Sequence, residues 1–346
     1  MILSKEIINS IKITPLIETV QLINIPDNLY FGDQYSKNYI SNSRLGLFKS
    51  KGVKAFFEGL SANQEYNPSF NFGTWLHASV LEPEYFDFVK DVFTPTAKAR
   101  LMALELYHPD GSTPTEEEII AASNKIGYYK DKLTKSRIAE LQNKCFSFWR
   151  DRFIYESKNP FKEGDKERVY IDEKSYNLLN CCLKSIDENK EFDKLMHPTG
   201  ITLDPISLNE HALFLDVQID IPGYESRIYK LKSKLDNFTI DREEEIITIN
   251  DLKTTSRLAK DFDPLYFSYQ REIAFYSYLL KLYVKTQYNM DKPTIKGNFL
   301  VVSTIPDYQT LVYPMTPKLF KSGFEEFKYL LKCVAYFNMV EGYEIQ

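Results

Sequence analysis

Asp251 and Lys253 stand two residues apart at the end of Ile246-Ile-Thr-Ile-Asn250, a run whose β-branched, apolar character reads as a buried strand. Side chains alternate across a strand, so the carboxylate and the ammonium share a face and point into one space. Such a pair suits a site where a divalent metal and a positioned water meet a phosphate. It can equally be a surface salt bridge at a strand end. Two further residues bear on the choice: Asp236, late in a second strand, and His77, in the middle of a short apolar helix. Carboxylates from neighbouring strands bind a hard divalent cation through oxygen, with water in the open positions. A histidine from a helix packed over the sheet can complete that set, although His77 amid Trp75, Leu76 and Val80 also reads as a satisfied core residue. A nearby lysine can orient or deprotonate the attacking water and stabilise charge on the scissile phosphate. The chemistry of the whole set is metal-assisted phosphodiester hydrolysis.

The elements that must position these residues follow from the pattern of the chain. Residues 1–40, rich in β-branched and turn residues, read as an irregular lead-in. Ser41-Asn-Ser43 caps an apolar helical pattern through Phe57. Gly73 to Pro83 is the helix that carries His77, and further helices are predicted over 115–124, 134–152 and 172–190, with 155–170 as a loop. From about residue 200 the pattern changes to strands: 211–220, 227–240, and the strand of Asp251, joined to its predecessor by the acidic connection Asp241-Arg-Glu-Glu-Glu245. A long aromatic helix over 264–286, strands over 296–304 and 310–313, and a closing amphipathic helix over 320–339 complete the order. The reading is a mixed α/β sheet flanked by helices (201–346), with a mainly helical part (41–200) ahead of it, integrated in one domain. In the second strand Lys230, Lys232, Lys234 and Asp236 share a parity, which suits a groove beside a polyanion. A bulge would spoil that alignment, and Phe238 and Ile240 at the same parity hint at one.

Composition narrows the class. The chain has 346 residues, 43% of them hydrophobic and 14% aromatic, which is ample for a packed core. The formal net charge of −5 does not advertise non-specific electrostatic binding, since a protein that only coats nucleic acid is usually basic. Charge is nevertheless uneven: Asn124 to Tyr170 holds twelve Lys or Arg against seven Asp or Glu. Lys125, Lys130, Lys132, Lys135, Arg137, Arg150 and Arg152 belong to that run, with Tyr128, Tyr129, Phe146, Phe148 and Trp149 interleaved. A solvated helical face and a nucleic-acid contact surface both fit it. Cys145, Cys181, Cys182 and Cys333 form no CxxC pair and read as core thiols of a reducing compartment. With no signal-peptide pattern and no apolar stretch of spanning length, the expectation is a cytoplasmic protein without membrane contact.

Taken together, the motifs resemble those of the PD-(D/E)XK nuclease superfamily, in its RecB/RecE-like (exonuclease VIII-like) branch. The carriers are Gly73-Thr-Trp-Leu-His77 with Leu81-Glu-Pro83, Lys232-Ser-Lys-Leu-Asp236, Asn250-Asp-Leu-Lys-Thr-Thr255, and Glu272-Ile-Ala-Phe-Tyr276, in the family's order. The resemblance implies that His77, Asp236 and Asp251 ligate Mg²⁺ or Mn²⁺, with the carbonyl of Leu252 as a further ligand. It implies that Lys253 is the catalytic lysine. Asp236, Asp251 and Lys253 form the expected catalytic set, Glu210, Glu272 and Tyr276 are accessory candidates, and Lys230, Lys232, Lys234, Thr254 and Thr255 are the expected DNA contacts. The family's last motif is usually Gln-x-x-x-Tyr, and here Glu272 stands where the glutamine belongs. Gln270 lies about 200° around a helix from that position and is a poor substitute. Glu272 and Tyr276 still share a helix face. Some relatives hold an iron–sulfur cluster with three cysteines near the C-terminus; only Cys333 lies there, so none is expected. A Walker-type loop is absent, so no ATP is implied. By resemblance, the activity is Mg²⁺-dependent exonucleolytic degradation of linear duplex DNA from 5′ ends in phage-type recombination, beside a single-strand annealing partner and with a homo-oligomeric ring as one possible assembly. A structure-specific or single-strand nuclease, and a catalytically silent DNA-binding protein of the same fold, are the alternatives.

Overall fold

The computed structural model describes residues 3–57, 68–91, 112–127, 133–143, 166–196 and 205–344, and the single positions 102, 105, 106, 108 and 158. The chain divides into two compact units. One joins Met1–Ser61 to Lys184–Gln346, and the other is Ala62–Leu183. The division differs from the sequence reading, which cut the chain at 40 and 200 within one integrated domain.

The first unit is a mixed α/β layer structure built on a seven-stranded sheet. Its strands are β1 (Lys12–Asn24), β2 (Tyr39–Ile40), β5 (Ile206–Asp220), β6 (Arg227–Asp241), β7 (Ile246–Thr255), β8 (Thr294–Ser303) and β9 (Thr310–Pro314). The order is β1-β5-β6-β7-β8-β9, with β2 pairing onto β6. β7 and β8 are parallel, as are β2 and β6, and the remaining pairs are antiparallel. Parallel β7 and β8 need a crossover, and the helix Tyr269–Tyr288 supplies it. It lies over β1, β5, β6 and β7 and is backed by the helix Pro317–Met339. Those two helices meet closely at Gly323, where a Cβ would stand 2.1 Å from the carbonyl oxygen of Gln270. The core beneath them is built from Phe238, Phe275, Phe299, Phe327 and Leu235, all fully buried.

Residues 1–40 are not an irregular lead-in. β1 is a thirteen-residue strand paired antiparallel with β5, from Lys12↔Asp220 to Asn24↔His211, with one irregularity between Leu16 and Gln21. Its burial pattern is not a clean alternation, so no period-2 signal marked it. The β5–β6 register runs unshifted from Ile206↔Ile240 to Ile219↔Arg227, so the bulge suggested by Phe238 and Ile240 is absent from that ladder. The aromatic helix starts at Tyr269 rather than 264. Asp263 Oδ1 accepts the N–H of Leu265, and Ser268 adopts a left-handed φ of 60°, so 264–268 close a turn ahead of the helix.

The second unit, by itself, contains β3 (Phe86–Asp91) paired parallel with β4 (Glu167–Asp172), the helix Pro68–Leu81, and the helix Glu116–Ile126. Thr115 and Glu118 form a capping box at the start of the last of these. β4 replaces the end of the loop read over 155–170. Within the basic run, Lys125 pairs with Glu105 and Arg137 with Glu140. Lys130, Lys132, Arg150, Arg152, Tyr128, Tyr129, Phe146, Phe148 and Trp149 lie outside the described residues, as does Cys145. Among the described residues, no helix is long and apolar enough to cross a membrane.

Candidate active site

The site opens where two strands part. β6 and β7 pair from Asp241↔Ile246 only as far as Asn237↔Asn250. Beyond that point β7 continues beside β8 to Thr255↔Ser303, while β6 continues beside β5 and takes β2 on its other edge at Tyr39↔Lys230 and Ile40↔Leu231. Asp236 and Asp251 are the first residues past the fork, one on each arm. The Leu252 N–H donates to Asp236 Oδ2 at 2.7 Å and ties the arms together there.

One row of amides holds the fork in register. Asn298 Nδ2 donates to Asn250 Oδ1 (2.9 Å), Asn250 Nδ2 to Asn237 Oδ1 (2.7 Å), and Asn237 Nδ2 to Asn209 Oδ1 (2.7 Å), across β8, β7, β6 and β5. Three of these asparagines adjoin an acid in sequence: Asn209 precedes Glu210, Asn237 follows Asp236, and Asn250 precedes Asp251. Neighbouring residues on a strand face opposite ways. The amides therefore occupy one face, where Asn250 also donates to the carbonyl of Leu195 at 3.1 Å, and the acids occupy the other, under the helix Tyr269–Tyr288.

On that face Asp251 is 1% exposed and Lys253 Nζ stands 2.7 Å from its Oδ2. The approach is ionic and not along a hydrogen-bonding direction, so neither oxygen of Asp251 has a hydrogen-bond partner among the described residues. Lys253 also reaches Glu272 Oε2 at 3.1 Å, and Tyr276 donates to Glu272 Oε1 at 2.9 Å. The ring of Tyr269 packs 5.0 Å from Lys253 Nζ. Burial pushes the Asp251 carboxyl well above the usual range, against the pull of Lys253. Burial opposes charge on Lys253 too, but Asp251, Glu272 and Asp236 outweigh it and hold the ammonium well above the ordinary lysine value. For Glu272, burial is outweighed by Lys253 and the Tyr276 hydroxyl, which keep it below the usual range. Lys253 is thus shared between two carboxyls: Glu272, held low by the lysine and the Tyr276 hydroxyl, and Asp251, where burial outweighs the lysine.

Glu210, on β5, falls between the Asn209↔Asn237 and His211↔Leu235 pairs, and one of its oxygens lies within 4.8 Å of one of Asp236. Its φ of 53° is left-handed. Glu210 and Asp236 together offer the oxygen donors that a hard divalent cation takes. Beside them Asp251 brings two buried oxygens that accept no hydrogen bond among the described residues. His77 belongs to the other unit, half-buried on Pro68–Leu81 beside fully buried Leu76. Leu252 meets the site through its N–H, and its side chain is buried. Thr255 shares the parity of Asp251 and Lys253, and its hydroxyl accepts the N–H of Arg257. Thr254 takes the opposite parity.

The lysine row on β6 does not form a groove. Lys232 is 4% exposed, donates to the carbonyl of Tyr30 at 2.6 Å and packs 4.1 Å from that residue's ring. Lys234 is paired with Asp27 and Glu210 (2.8 Å to Glu210). Lys230 remains exposed beside Tyr39. The segment Asp27 to Tyr39 covers this face, and its ring and carbonyl satisfy ammonium groups that would otherwise need solvent. Gln270 is likewise turned away: its amide donates to Glu326, in a buried network with Arg271 and Asn42.

Sequence reasoning missed Tyr269, Tyr30 and Asp27. Tyr269 was findable, because 269, 272 and 276 follow helical spacing along one face. Tyr30 and Asp27 carried no local signal.

No family model and no curated protein matches the chain. Among solved structures it is similar to the crystal structure of a "Putative exonuclease" from Eubacterium rectale, at 11% identity and a TM-score of 0.38, over 91% of this chain and 86% of that one.

Proposed function

We propose that the protein is a metal-dependent nuclease of the PD-(D/E)XK type that hydrolyses phosphodiester bonds of DNA, acting as an exonuclease on linear duplex. The observation that carries this is the Asp251 carboxylate, buried and without a hydrogen bond among the described residues, beside Asp236 at the mouth of a strand fork and 2.7 Å from a charged lysine. An ion pair that is only structural gains nothing from a buried carboxylate that accepts no hydrogen bond, whereas a cation ligand needs its lone pairs open.

Asp236, Asp251 and Glu210 would hold Mg²⁺ or Mn²⁺. The Gly73-Thr-Trp-Leu-His77 motif assigns the nitrogen ligand to His77, and the resemblance adds the Leu252 carbonyl; both assignments rest on the sequence. When bound, the cation supplies Lewis-acid polarisation of a phosphoryl oxygen and acidifies a water. Lys253 presents its ammonium on the same face, where it hydrogen-bonds a phosphate oxygen and stabilises the charge that develops there. Glu272 fixes the lysine from the other side and Tyr276 fixes Glu272, so the ammonium is oriented before substrate arrives.

Digestion of end-labelled linear duplex with Mg²⁺, against the same DNA as a closed circle, tests the reading and reports polarity. Loss of the linear form only, abolished in Asp251→Ala, is expected. A wild type that leaves linear duplex, single strands and circles intact in both Mg²⁺ and Mn²⁺ rules out the enzymatic reading.

A further inference from the structure

The turn between β7 and the crossover helix exposes large rings that the fold does not use. Leu265, Tyr266 and Phe267 are 52%, 65% and 63% exposed. They are not on a slack loop. Leu265 N–H donates to Asp263 Oδ1, Tyr266 N–H to the carbonyl of Asp263, Ser268 N–H to that of Leu265, and Tyr269 N–H to that of Pro264. The backbone is committed to holding these side chains outward, where each ring costs hydrophobic stabilisation that burial would provide. The rings also form a line: Tyr266 and Phe267 pack edge-on at 4.5 Å, Phe267 meets Tyr269 at 5.4 Å, and Tyr269 lies 5.0 Å from Lys253 Nζ. The guanidinium of Arg257 sits 5.4 Å from the Tyr266 ring. One end of the line is in solvent and the other is at the lysine beside Asp251.

We propose that Tyr266 and Phe267 form a stacking platform for an unpaired base of the DNA strand whose phosphate reaches Lys253. This rests on the nuclease reading of the Asp251–Lys253 centre. Charge does not explain the patch, since residues 257–268 carry Arg257 and Lys260 against Asp261 and Asp263. Apolar aromatic faces beside a phosphate-binding cation suit a nucleobase, which offers a flat π face next to an anionic backbone. The rings are sequence-tolerant contacts, so the platform holds any base and confers no sequence preference.

The test uses the full chain with Ca²⁺ and a single-stranded oligonucleotide carrying 2-aminopurine near its end, together with the same strand made abasic at that position. The wild type is expected to quench the 2-aminopurine. Tyr266→Ala/Phe267→Ala should bind the intact strand ~10- to 100-fold more weakly without quenching, and the double tryptophan variant should restore both. Wild type and double-alanine variant should bind the abasic strand alike, with equal slopes of affinity against salt, because no phosphate contact is lost. Equal binding of the intact strand by wild type and variant overturns the proposal. So does an equal loss on the abasic strand, a changed salt slope, or a variant altered only in sedimentation, which would mean that a second copy of the chain covers the rings. Cleavage of linear duplex by the wild type is measured in parallel. If the wild type cleaves and the double-alanine variant cleaves with the same KM, the platform alone falls. If the wild type does not cleave, the nuclease reading falls, and the quenching still reports whether a base stacks.

Discussion

Asn250 donates a 2.7 Å hydrogen bond to Asn237 across β6 and β7, at the last paired position before the strands part. Each partner is one residue from an acid of the site. The link fixes which β6 residue faces which β7 residue, and so sets the separation of Asp236 and Asp251. Replacing Asn250 by Ala strands Asn237 Oδ1 and Asn298 Nδ2 in the interior, which costs about 1–3 kcal/mol for each orphaned group. Urea denaturation of Asn250→Ala should show a stability loss of roughly 2–6 kcal/mol, the total for the two groups, with an unchanged m-value.

Lys253→Ala and Asp251→Asn should separate two roles. Lys253 is not a ligand, so Lys253→Ala is expected to abolish turnover while calorimetry still detects Mn²⁺. On the proposed assignment Asp251→Asn removes a ligand charge and should lose both. Metal loss in Lys253→Ala equal to that in Asp251→Asn contradicts the assignment.

Glu272→Gln installs the amide usual at this position in the nuclease family whose motifs the sequence resembles. Its carbonyl oxygen can still accept from Lys253 and Tyr276, so kcat should fall by less than about tenfold, the scale of one hydrogen bond. Glu272→Leu leaves Lys253 without that partner and should fall further. Steady-state digestion of linear duplex by the two variants ranks them.

Lys232 gives a stability signature in pH. Burial, aided by Arg44, lowers its pKa from 10.5 to about 8. Below pH 8 the fold carries the full cost of a buried ammonium. Between about 8 and 10.5 the folded state binds fewer protons than the unfolded chain, so stability from this group rises with pH. Lys232→Met has no such dependence. Denaturation from pH 7.5 to 10.5 should show wild type gaining on the variant by on the order of 3 kcal/mol.

Gly323→Ala tests the helix pair above the site. The added Cβ meets backbone, the carbonyl oxygen of Gln270 at 2.1 Å, so the helices must separate. The expected loss is about 1–3 kcal/mol or more by thermal or urea denaturation.

The sequence by itself determined what adjacency and periodicity can carry. Asp251 and Lys253 share a face because strands alternate, Glu272 and Tyr276 share one because helices repeat, and the run from β5 to the last helix shows in its hydrophobic pattern. The same parity rule grouped Lys230, Lys232 and Lys234 correctly on one face but assigned that face to a polyanion. Whether a lysine meets solvent depends on what packs over it, and the segment from Asp27 to Tyr39, some two hundred residues away in sequence, packs over Lys232 and Lys234. The asparagine row was invisible for a related reason: Asn209, Asn237, Asn250 and Asn298 become one row only when four strands adopt their register. Local rules set which way a side chain points. The chain's return over its own sheet decided that Lys232 is buried, that the arms of the fork part after Asn237, and that Asp251 lies in the interior with no hydrogen bond among the described residues.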